Sequence, residues 1–179
     1  MDCGELRTLV EQAWEFLFTD FGFAIVSCQE GTRGSAMLCA ESREARVRFM
    51  SVNYDDEFDI DWGTRSAPLD WSPNSDVTTN EFPEWYSLRG ILGFLEREPL
   101  DVEEIVRNAK ETYANRNIPG PQPPQIEVLA KRTRPLLPKI LSFFSMDGID
   151  TFRVEYTKHK IQQKREFERQ WNDLSKRRP

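Results

Sequence analysis

The chain has 179 residues, of which 39% are hydrophobic and 12% aromatic, and its net charge is −6. That is enough apolar matter for one domain with a proper core, and it excludes a disordered chain. No run nears the ~18 apolar residues of a membrane span, and the first residues lack the basic-then-apolar pattern of an export signal, so a cytoplasmic protein with no membrane partner is expected.

The charge is unevenly spread. Residues 55–104 hold 14 acids against 3 bases, whereas residues 105–179 hold 8 acids against 16 bases. Two electrostatically distinct faces follow, which either compensate each other or meet different partners.

Asp2-Cys3-Gly4-Glu5 has the spacing of a capping box. Leu6, Leu9, Val10, Ala13, Leu17 and Phe21 then recur at helical period, and Gly22 ends the helix. Four strands are expected next. Phe23–Cys28 and Ala36–Ala40 flank a loop with two glycines, and Ser42-Arg43 marks a turn. Ala45–Tyr54 and Phe58–Trp62 form a second hairpin. A long loop spans residues 63–83, followed by a helix from about Glu84 to Arg97. A second helix is signalled by Asp101-Val102-Glu103-Glu104, with Ile105, Val106, Ala109 and Tyr113 on one face.

Ile118-Pro119-Gly120-Pro121-Gln122-Pro123-Pro124 is a stiff, extended break. Beyond it lie a helix near Gln125–Thr133, a Pro135/Pro138 interruption, an apolar segment Leu136–Met146 and a last helix of about Thr151–Lys176. The fold class is therefore α+β: an N-terminal helix packed on a four-stranded antiparallel meander, followed by several helices. The expected organisation is a sheet domain over 1–117, a Pro-rich linker over 118–124 and a helical extension over 125–179 that docks on the first part.

The best-marked feature is the acid at the second hairpin. Tyr54-Asp55-Asp56-Glu57-Phe58-Asp59-Ile60-Asp61-Trp62 carries five carboxylates and no base. Phe58, Ile60 and Trp62 alternate with Asp59 and Asp61, and Val47 and Phe49 alternate with Arg46 and Arg48. If the apolar sets share a face, both arginines join the aspartates on the other. Cross-strand neutralisation then accounts for Asp59 and Asp61. It does not reach Asp55, Asp56 and Glu57 at the tip. Trp71, in the long loop, is either an anchor onto the core or an exposed contact residue.

Catalytic and metal chemistry find little footing. The only histidine, His159, stands on the charged C-terminal helix, where a solvated or packed side chain is the plain reading and zinc is improbable. Phosphate-loop, dinucleotide and H-E-x-x-H motifs do not occur. The acidic block fails as a calcium loop, because its sixth residue is Ile60 or Trp62 rather than glycine. Asp59 and Asp61 lie ~7 Å apart on one face, but no lysine precedes Lys110 to complete a magnesium nuclease site. No enzyme, cofactor or metal is expected.

The cysteines, Cys3, Cys28 and Cys39, are odd in number and lack CxxC spacing. Cys28 and Cys39 on neighbouring strands make a disulfide conceivable, and small buried thiols are the plainer reading. The C-terminal helix is basic yet interrupted by Glu155, Glu166, Glu168 and Asp173, and nucleic-acid binding is not expected of an acidic chain. Its surplus positive charge has no evident ion-pair ladder. Contact with the acidic middle of this or another chain is the preferred account.

The helix Leu6 to Phe23, ending in Asp20-Phe21-Gly22-Phe23, and the hairpin Val47-Arg48-Phe49 to Phe58-Asp59-Ile60-Asp61 resemble the architecture of small bacterial immunity proteins of polymorphic-toxin and contact-dependent inhibition systems. The resemblance covers about the first 100 residues and does not include the helices after Pro119. It implies a non-catalytic protein that neutralises a cognate, basic, nuclease-like toxin domain by occlusion. Asp55, Asp56, Glu57, Asp59 and Asp61 would then enter a basic cleft as phosphate mimics, with Trp62 and Trp71 as aromatic anchors. The alternative is an adaptor or self-assembling protein that pairs, as a dimer, through Phe167, Trp171 and Leu174 of the last helix.

Overall fold

Short elements follow one another through the chain: α1 (Cys3–Ala13), α2 (Glu15–Thr19), β1 (Ala24–Glu30), β2 (Ala36–Glu41), β3 (Ala45–Val52), β4 (Glu57–Thr64), β5 (Trp85–Ser87), α3 (Leu88–Glu96), α4 (Gln125–Thr133), a 3-10 turn (Arg134–Leu136), α5 (Leu137–Phe144) and α6 (Ile149–Lys176). The computed structural model describes residues 1–31, 34–52, 57–71, 84–97, 101–103, 106–107 and 125–176. The Pro-rich segment, most of the helix signalled after Asp101, and Asp55 and Asp56 lie outside those residues.

The capping box forms as read. The Asp2 carboxylate accepts from the Glu5 N–H at 2.8 Å, and the Asp2 N–H donates to Glu5 at 3.0 Å. The helix does not run on to Phe21, however. It breaks at Trp14, whose backbone leaves the helical conformation and whose fully buried ring meets Phe49 edge-on at 5.3 Å, and α2 restarts at Glu15. Burial of one large ring outweighs one more turn of regular helix.

The five strands form one antiparallel sheet in sequential order. Four strands match the expected meander. The fifth is a correction: Trp85–Ser87, read from periodicity as the start of a helix, pairs with β4 instead. Its alternation explains why. Tyr86 points to the inner face beside Trp62, and Trp85 points to the other. Ser87 then caps α3 by accepting from the Gly90 N–H at 3.3 Å.

The inner face carries Leu38, Val47, Phe49, Phe58, Ile60, Trp62 and Tyr86, and helices seal it. Leu6, Val10 and Leu17 cover one part. The C-terminal helices cover the other, with Phe144 stacked on Trp62 at 6.5 Å and Phe152 edge-on to Tyr86 at 5.1 Å. The sheet and the helices beyond residue 125 thus share one hydrophobic cluster.

The outer face is buried too, except towards Asp59 on β4. Met37, Cys39, Arg48 and Trp85 are at most 3% exposed. Residues 65–71, the start of the long loop, lie against this face through polar contacts. Gln29 donates to the Leu69 carbonyl at 2.8 Å, Arg46 to that of Ala67, and Arg48 reaches that of Asp70 at 3.5 Å. Gly63 permits this approach, since a Cβ there would lie 2.8 Å from that of Ala67.

Cys28 pairs across the sheet with Leu38 and Cys39 with Ser27, so the two cysteines point to opposite faces and do not bond. The disulfide joins Cys3 to Cys28 (Cα–Cα 5.9 Å), tying the start of α1 to β1, and Cys39 is a free, buried thiol whose pKa burial pushes up. Such bonds persist in oxidising compartments. Among the described residues, no helix is long and apolar enough to cross a membrane.

Candidate protein-binding surface

The β3–β4 register decides the fate of each acid. Arg48 stands opposite Asp61, and Met50 stands opposite Asp59. Arg48 Nε donates to Asp61 at 2.9 Å with both side chains 2% exposed, and the guanidinium lies 4.6 Å from the Trp85 ring centroid. Arg46, the other arginine of the strand, turns to Glu41 at 2.9 Å instead. Asp59 is therefore left exposed, and it forms no ion pair among the described residues. One strand thus holds a neutralised carboxylate and, two residues earlier on the same face, an open one.

Asp61 and Trp62 do not offer themselves to a partner. Asp61 is locked in the buried pair, and Trp62 is a fully buried inner-face residue between Phe23 and Phe144. Both shape the hairpin rather than its surface, because strand alternation and the covering segments remove them from solvent. Glu57 belongs to β4 by its backbone, opposite Val52. Asp55 and Asp56 lie outside the described residues.

Trp71 is 37% exposed and rests on the backbone at Gly31, where a Cβ would lie 3.1 Å from an indole carbon. Gly31 follows the last residue of β1, and Asp59 lies in the outer-face row Gln29–Met37–Met50–Asp59. Trp71 and Asp59 thus share the outer face and the same end of the sheet. Three strand spacings, about 14 Å, separate β1, at whose end Trp71 rests, from β4, which carries Asp59. That end also carries the β1–β2 and β3–β4 turns. The arrangement places an aromatic ring and an open carboxylate on one side of the sheet.

Sequence reading missed the neighbours of this surface, Met50 opposite Asp59 and Gly31 against Trp71. For Met50 a signal exists. Antiparallel partners move by opposite steps, so once Arg48 is set against Asp61, Met50 must face Asp59. For Gly31 none exists, because a loop from 40 residues away supplies its contact. Among the described residues, no three His, Cys, Asp or Glu side chains converge as a metal site requires.

Further along, His159 is packed rather than solvated, edge-on to Phe94 at 5.4 Å. The basic helix does carry short ion pairs, at i,i+3 rather than i,i+4: Arg153 with Asp150, and Arg169 with Glu166. Arg169 and Gln170 together hold the Glu166 carboxyl down at about 2. Gln170 also accepts from the Val102 N–H at 3.1 Å, so the helix meets the acidic middle of its own chain.

No protein-family model, no curated protein and no solved structure matches this chain.

Proposed function

We propose that this chain is a non-catalytic protein-binding protein that recognises a basic partner through the turn end of its outer sheet face. Asp59, with Asp55, Asp56 and Glu57 of the same hairpin, supplies the charge, and Trp71 supplies the aromatic contact. The observation that carries the reading is the split between the two strand aspartates: the fold neutralises Asp61 with Arg48 and leaves Asp59 open. Carboxylates on a paired strand lose little entropy on binding, and complementary charge accelerates association. In its most specific form the proposal is an immunity-type inhibitor, acting in the cytoplasm, that occludes the cleft of a basic, nuclease-like toxin domain.

Affinity capture from the native host tests it, using the wild type and an Asp55→Lys/Asp56→Lys/Asp59→Lys variant. A basic protein should be held by the wild type, released by salt and lost with the variant, while both melt at nearly the same temperature. Equal capture by both would overturn the assignment of the surface.

One observation favours a second reading. Phe167 and Trp171 stack at 6.1 Å on α6 while 37% and 45% exposed. An adaptor or a dimer built on that helix would use this pair. Light scattering across a concentration series decides: a constant dimer mass that Trp171→Ala reduces to a monomer supports it, and a monomer throughout removes it.

A further inference from the structure

A second feature lies far from the acidic hairpin, where the end of α3 meets α5 and α6. A cleft of about 620 Å³ opens there, within the range of roughly 300–1,000 Å³ usual for small-molecule sites. Two phenylalanines line it, with centroids 5.9 Å apart and planes at 63°: Phe143, buried and stacked on Phe152 at 4.6 Å, and Phe94, half-buried and facing the opening. Three cations from three helical segments surround those rings.

Arg97 follows the last turn of α3 in the left-handed region, with φ 48°, as no other non-glycine residue does among those described. The left-handed residue closes α3 as its C-cap and turns the Arg97 side chain out of the helix line. Lys139 of α5 holds its Nζ 5.2 Å from the Phe143 centroid, and Lys158 projects from α6. None of the three forms an ion pair among the described residues. Among the described residues, Glu155 is the one carboxylate in the lining.

His159 stands beside Phe94 with its Nε2 buried and unpartnered among the described residues. Burial, and then Lys160, hold its pKa below the ordinary value, so the ring is neutral at pH 7. The cleft therefore combines aromatic surface with a net positive rim. Planar rings stack on such surfaces, and phosphate oxygens take charge-assisted hydrogen bonds from lysine and arginine.

We propose that this cleft binds a small aromatic anion of the nucleoside monophosphate class, its base against the half-buried Phe94 ring and its phosphate among Arg97, Lys139 and Lys158. No position in the sequence announces the site, because its parts come from three segments that only the fold brings together. The site does not depend on the partner proposed for the hairpin.

His159 is the only histidine in the chain, so its ring resonances report on the cleft without ambiguity. Titration of the intact protein with adenosine monophosphate should shift them saturably and raise the histidine pKa, since an anion nearby favours the imidazolium. Inorganic phosphate and uncharged adenosine should each bind about tenfold more weakly or worse, lacking one half of the contacts. Lys139→Glu/Lys158→Glu, at two exposed positions, should abolish the shift while the rest of the spectrum is retained. Unmoved histidine signals at millimolar nucleotide, or equal shifts in the double variant, would overturn the site. Phosphate binding as tightly as the nucleotide would overturn the aromatic half of the proposal.

Discussion

The two faces of the sheet are both covered, the outer one only in part, and by different means. The inner face is sealed by helices through apolar contact: Trp62 lies between Phe23 and Phe144, and Phe49 lies under Trp14. The outer face carries an ion pair, and residues 65–71 contact it through backbone carbonyls. Apolar burial is non-directional and tolerates many arrangements. A buried ion pair holds only while both partners and their hydrogen bonds are in place. The inner face therefore sets how much stability there is, and the outer face sets which arrangement of strand and loop is allowed.

The sharpest way to break this comparison is a matched pair of substitutions measured by urea denaturation. Trp62→Ala should cost about 3–5 kcal/mol through the cavity it leaves, and no single charge change should restore it. Asp61→Ala should cost a similar ~3–5 kcal/mol, because it strands the Arg48 cation in a dry site. Replacing both partners, as Arg48→Met/Asp61→Leu, should recover most of that loss. If the double variant is as unstable as the single one, the loop rather than the charge limits the outer face.

The bond between α1 and β1 comes next. Cys3→Ser should lower stability by about 2–4 kcal/mol under oxidising conditions and have no effect under reducing ones. The mass of the native protein, taken without reductant, reports whether the pair is bonded in its own compartment. A bonded pair in cells would point to an oxidising compartment, and free thiols to the cytoplasm.

A smaller effect is expected at the margin of the inner core, where His159 meets Phe94. Its pKa is lowered from the ordinary 6.5 by burial and Lys160, so the folded state binds the proton less well than the unfolded chain. Its contribution is fully present above pH 6.5 and is lost as pH falls below that value through the lowered one. Melting temperature should decline over this acid window more steeply in the wild type than in His159→Gln. Parallel profiles would show that the ring is not constrained by its packing.

The smallest change in stability is expected at Asp59. Asp59→Lys should move stability by no more than about 0.5 kcal/mol, in contrast with its neighbour two residues on. A large loss there would mean that Asp59, like Asp61, is held by the fold, and the binding surface would have to be sought elsewhere.

Much of the frame was legible in the chain because it rests on local chemistry. The capping box at Asp2 needs only four residues, and the alternation of Val47, Phe49, Ile60 and Trp62 needs only the two-residue period of a strand. The α+β class, the antiparallel meander and the α4 and α6 helices follow from such signals, whereas Leu136–Met146 was legible only as an apolar segment. The candidate surface was legible only in part. Alternation placed Asp59 and Asp61 together but did not distinguish them, since that depends on register. It assigned Trp62 to the apolar face, yet the anchor role ascribed to it required exposure that the C-terminal helices remove.

What the sequence by itself determined is the set of faces: which residues alternate, which recur every third or fourth position, and where the caps and breaks lie. What only the tertiary structure decided is what covers those faces. Residues 65–71 reach the polar side of the sheet, Trp85–Ser87 becomes a strand, Cys28 finds Cys3 rather than Cys39, and the cations of three helical segments meet at one cleft. Periodicity is a property of neighbours along the chain, whereas burial and pairing depend on segments tens of residues away, and those are set by the packing of the whole.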